Sequence, residues 1–101
     1  VGAMESYEKA WSTGQLPAAA NALGAVHFLE GNLVQAQKYF EYTLSQESDN
    51  VEALVNLSLL DIRKGHTQKG LHSLTELEKK FPDSRIVRQA IRSTLSRSHT
   101  P

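Results

Sequence analysis

Apolar positions recur at three- and four-residue spacing in six stretches, each closed by a short polar break rich in Gly, Pro, Ser, Asp or Asn. That period is the α-helical one. Met4, Tyr7 and Trp11 share one face and predict a helix over 4–13, stopped by Ser12-Thr13-Gly14, with Tyr7 and Trp11 buried against the hairpin that follows. Pro17 suits a first helical turn, where a missing N–H costs nothing, and Ala18, Ala19, Ala20, Ala22 and Ala25 are strong helix formers. Gly31-Asn32 closes this second helix as a glycine cap, and 33–46 returns with Leu33, Ala36, Tyr39, Phe40 and Leu44 on or near its buried stripe.

Ser48-Asp49-Asn50 is a turn with capping side chains for a helix over 51–64, in which Leu54, Leu57, Ser58 and Leu60 face inward. Gly65 breaks it, and 68–80 returns with Leu71, Leu74 and Leu77 inward. Phe81-Pro82-Asp83-Ser84 ends that helix and caps the next. The last helix, 85–97, sets Val87, Ala90, Ile91, Thr94 and Leu95 along one side and Arg85, Arg88 and Arg92 along the other. Residues 98–101 have no periodicity and are expected to fray.

The two hairpins are copies of each other. A shift of 34 carries Leu23 onto Leu57, Gly31 onto Gly65, Phe40 onto Leu74 and Asp49 onto Asp83, and a fixed period of this size marks stacked helical hairpins. Leu23-Gly24 with His27 beyond, Gly31, Ala36 with Phe40, and the Asp49-Asn50 turn resemble a tetratricopeptide repeat; Leu57, Gly65, Leu74 and Phe81-Pro82-Asp83 carry a looser second copy. The resemblance covers 17–84. It departs from the family at His27 and Asp61, where tyrosine is usual, at Ser48 for proline, at Gly70 for alanine, and at Leu77, where a small residue normally lets the next hairpin pack.

The expected fold is therefore all-α, a short right-handed α-solenoid of about six helices in antiparallel pairs, forming a single domain over 1–101. Residues 1–16 hold a scar ahead of Met4 and a capping helix, 17–50 the first repeat, 51–84 the second, and 85–101 an amphipathic closing helix and tail. Such a closing helix shields a stacking face that would otherwise be sticky. Gly24 and Ser58 lack bulk, so helices can approach closely there, while Leu23, Leu57, Phe40 and Leu74 fill the spaces beside them.

Charge changes the picture more than composition does. The formal net charge is zero, yet eight acids face two bases up to Ile62, and nine bases face three acids from Arg63 onward. These are solvated helix faces, or a field that steers a partner of opposite sign or drives head-to-tail self-association. No apolar run approaches the roughly 20 residues of a membrane span, so no membrane insertion is expected. Absence of cysteine excludes disulfides and thiolate chemistry.

Candidate chemistry is sparse. His27, His66, His72 and His99 lack zinc spacing, no glycine-rich phosphate loop occurs, and no serine sits in a nucleophile elbow. The expectation is no enzyme, no cofactor, no metal and no small-molecule substrate. Arg85, Arg88, Arg92 and Arg97 could meet phosphates, but no aromatic residue interleaves them, which makes nucleic acid the weakest of the partner readings.

The resemblance implies that the first helix of each hairpin lines a concave wall. Its wall positions correspond to Ala18, Asn21, Ala22, Ala25, Phe28 and Leu29, and to Glu52, Val55, Asn56, Leu59, Ile62 and Arg63. Asn56 matches the family's backbone-binding asparagine. Ala25 and Val55 stand where the clamp for acidic C-terminal tails would need polar groups. The expected ligand is accordingly an apolar peptide or amphipathic helix, held by a cytoplasmic interaction module within a larger protein or assembly. The alternative is a structural spacer or homo-oligomerisation unit.

Overall fold

The computed structural model describes residues 2–14 and 16–98, with side chains for 5–14 and 16–96. The expectations for the Met4 side chain, Arg97, His99 and the tail lie outside the described residues. Among those residues the fold is all-α: six helices and no strand, with adjacent helices packed in pairs. In order they are α1 (Gly2–Gly14), α2 (Pro17–Leu29), α3 (Leu33–Gln46), α4 (Val51–Arg63), α5 (Thr67–Lys80) and α6 (Arg85–Ser98). The chain forms two compact units, Val1–Ala53 and Leu54–Pro101, whose border falls inside α4.

In the first unit α2 and α3 run antiparallel. Thr43 Oγ1 near the end of α3 donates to the Pro17 carbonyl at the start of α2 (3.3 Å), and midway along Gly24 lies against Ala36 and Phe40. A Cβ on Gly24 would come within 2.5 Å of Phe40 Cε1 and 3.2 Å of the Ala36 carbonyl, so the small residue is a packing requirement. Ala20, Leu23, Ala36, Phe40 and Thr43 are fully buried. α1 packs on α2 and sets Trp11 edge-on to two rings of α3, with centroids 5.5 Å from Tyr39 and 4.7 Å from Tyr42. Of the pair expected inside, Trp11 meets its aromatic partners, whereas Tyr7 is 37% exposed. His27, at the position where the repeat favours tyrosine, stacks on Tyr39 with centroids 5.6 Å apart and planes 6° off parallel.

The second unit repeats the device with the small residue on the opposite helix. A Cβ on Gly70 of α5 would meet Ile62 Cγ1 and stand 2.7 Å from the Ser58 carbonyl of α4. Gly70, where the resemblance implied alanine, is what lets α4 and α5 approach. The pair Gly24–Ala36 thus has its 34-residue counterpart in Ser58–Gly70. Leu60, Leu74 and Val87 are fully buried, and α6 packs on α5. The buried hydroxyls of Ser58 and Thr94 donate to the carbonyls of Leu54 and Ala90, one turn back. No polar side-chain atom among the described residues is buried without a partner.

The period is visible in the backbone as well. Gly31 N–H donates to Phe28 O (3.1 Å) and Asn32 N–H to His27 O (2.8 Å); 34 residues on, Gly65 donates to Ile62 O (3.0 Å) and His66 to Asp61 O (2.9 Å). Both are Schellman endings, with the glycine at positive φ, 83° and 96°. The hairpin exits match too: Glu47 to Thr43 O (2.8 Å) and Phe81 to Leu77 O (2.7 Å). So do the helix starts, where the Asn50 side chain accepts from Ala53 N–H (3.0 Å) and the Ser84 hydroxyl from Val87 N–H (3.3 Å).

Candidate functional site

The wall positions divide by their angle around each first helix. In α2, Ala18 and Leu29 are exposed and Ala22 and Ala25 half-buried, which makes one continuous stripe at the spacing i, i+4, i+7, i+11. In α4 the same spacing runs through Glu52 and Arg63, both exposed, and Asn56 and Leu59, both half-buried. The positions flanking these stripes turn inward. Asn21 is 8% exposed and its Nδ2 donates to Glu52 Oε2 (3.4 Å); Val55, its counterpart 34 residues on, is 2% exposed. Both therefore leave the set of wall residues, because a partner cannot reach a side chain enclosed by the protein's own atoms. Ile62 is half-buried against Gly70 of α5, and Phe28, at the matching place in α2, is half-buried as well.

A list of wall positions taken from the resemblance is thus too wide by one flank. The helical angle carries that signal: Asn21 and Val55 lie about 60° off the exposed stripe at 100° per residue. Leu29 is one of the expected wall positions, whereas sequence reasoning passed over the exposed apolar side chains of Val34 and Leu16. Leu29 is 79% and Val34 69% exposed, on either side of the 30–32 turn, and Leu16 is exposed ahead of α2. Val34 falls between the half-buried Leu33 and the buried Ala36 of α3, and that placement off the stripe is how it could have been found.

The ion pairs lie at the surface. Ion pairs join Lys69 to Asp61 (3.9 Å), Lys79 to Glu76 (3.6 Å) and His72, when protonated, to Glu76 (4.0 Å), in each case with at least one partner well exposed. Among the described residues no group of three or more His, Asp or Glu side chains is placed to hold a metal ion, and no helix is long and apolar enough to cross a membrane. No protein family, curated protein or solved structure matches the chain.

Proposed function

We propose that the chain is a non-catalytic interaction module of tetratricopeptide-repeat type, which holds an apolar peptide or amphipathic helix on an exposed first-helix stripe, that of α2 or that of α4, as part of a larger protein or assembly. The observation that carries this reading is the exact 34-residue recurrence of Schellman endings, caps and close-packed small residues. A scaffold repeated so closely keeps one stripe of each first helix out of its own core, and that stripe is the surface repeat proteins use. Ala22, Ala25 and Leu29 offer apolar surface. Asn56, half-buried on the α4 stripe, stands where the resemblance implies a backbone-binding asparagine, and Leu59 offers a further apolar contact.

The test is capture of partners from the native source, followed by competition with Leu29→Glu and Asn56→Ala. The variant on the stripe that binds should weaken capture by about tenfold, the size of one interface anchor. Because Leu29 is largely exposed, its variant should melt within a few degrees of the parent. Undiminished capture by both variants sinks the proposal. The charge distribution favours a second reading, self-association, which is taken up below.

A further inference from the structure

The two compact units carry opposite charge. Unit 1–53 holds seven carboxylates against two lysines, and unit 54–101 four carboxylates against nine bases, a formal −5 and +5 that cancel in the whole chain. The positive excess has a local focus on α6. Arg85, Arg88, Gln89 and Arg92 line an open concavity of about 270 Å³ on its outer face. All three arginines are exposed, and Arg88 Nη1 donates a long hydrogen bond to the Pro82 carbonyl (3.4 Å). None has a carboxylate partner among the described residues. They cover about 10 Å of helix at ~1.5 Å rise per residue, and Leu95, 44% exposed, adds an apolar side chain next to Arg92 in the following turn.

The negative excess is focused as well. From Tyr39 to Ile62 the chain contains no base, and Glu41, Glu47, Asp49 and Glu52 are all exposed there. Val34 is exposed one heptad ahead of Glu41 on the same face of α3. Each surface thus pairs a run of like charge with an exposed aliphatic side chain, and the two are of opposite sign.

We propose that α6 of one copy docks on the acidic segment 41–52 of a second copy, through Arg85, Arg88 and Arg92. The two surfaces differ, so the contact joins unlike faces of the two copies. Zero net charge removes the overall repulsion that would keep copies apart, while the separated charges orient them. This proposal does not rest on the peptide-binding reading, since of the stripe residues it takes in Glu52 alone and none of the apolar ones.

Sedimentation of the full chain over a range of concentrations tests it, at low ionic strength and at roughly 1 M salt, where the Debye length falls to about 3 Å. The parent should gain mass with concentration at low salt and lose that gain at high salt. R85E/R88E/R92E and E41K/E47K/D49K should each weaken association by about tenfold or more, as attractions become repulsions. An equimolar mixture of the two should associate again, because the reversed faces complement each other. Circular dichroism melts check that both variants fold; should either unfold, R85Q/R88Q/R92Q takes its place and should flatten the salt dependence. A parent that stays monomeric at every concentration overturns the proposal. So does association indifferent to salt and charge reversal, or an α6 that binds a single-stranded oligonucleotide while self-association survives its reversal.

Discussion

Gly70 gives the sharpest consequence of a single residue. Its missing Cβ leaves room for the Ile62 side chain and the Ser58 carbonyl, and a backbone oxygen cannot rotate away as a flexible side chain can. Gly70→Ala should therefore destabilise the fold by about 1–3 kcal/mol through overpacking. Thermal or denaturant melts measure this. In an Ile62→Ala background the same change should cost less, because one of the two obstructing groups is gone, and a double-mutant cycle reads the difference. Additive effects would show that Ile62 is not the neighbour that matters. Sequence reading found the smallness at Gly24 and Ser58, but took Gly70 as a departure. The spacing says that a small residue is needed where two helices cross, and not on which helix it stands.

At the level of elements, capping and turn chemistry were legible almost to the residue. Pro17 opens α2, glycines at positive φ end α2 and α4, and Asn50 and Ser84 cap the helices that follow. These are local signals, set by a few adjacent residues, so tertiary context hardly alters them. The Asn50 cap is open to test. Asn50→Ala removes the acceptor of Ala53 N–H and should cost about 0.5–2 kcal/mol, with Asn50→Asp or Asn50→Ser losing much less. If Ala and Ser melt alike, the cap contributes nothing. Buried faces were read less fully. Thr43 is enclosed and bonded to both Tyr39 O and Pro17 O, yet a hydroxyl in an apolar helix does not announce itself as core. Tyr7 shows the converse: an aromatic residue on the expected face that remains partly in solvent.

For the molecule as a whole, α6 closes the second unit. Val87, Ala90 and Thr94 are buried on its inner side, while Arg85, Arg88 and Arg92 are exposed. A chain ending at Ser84 loses that cover, and should bind a hydrophobic dye strongly and melt at lower temperature than the parent. An unchanged dye signal would mean that α6 shields little. What the sequence by itself determined was the all-α class, the six helices, their ends and the 34-residue period, because these follow from hydrophobic spacing and from backbone chemistry within a few residues. The tertiary structure alone decided which wall positions stay open and which are enclosed, as with Asn21 and Val55. It also decided on which helix each hairpin places its glycine, and left Arg85, Arg88 and Arg92 without a carboxylate partner among the described residues. Each of these depends on atoms far apart in the chain coming within a few ångströms, a distance that no local pattern encodes.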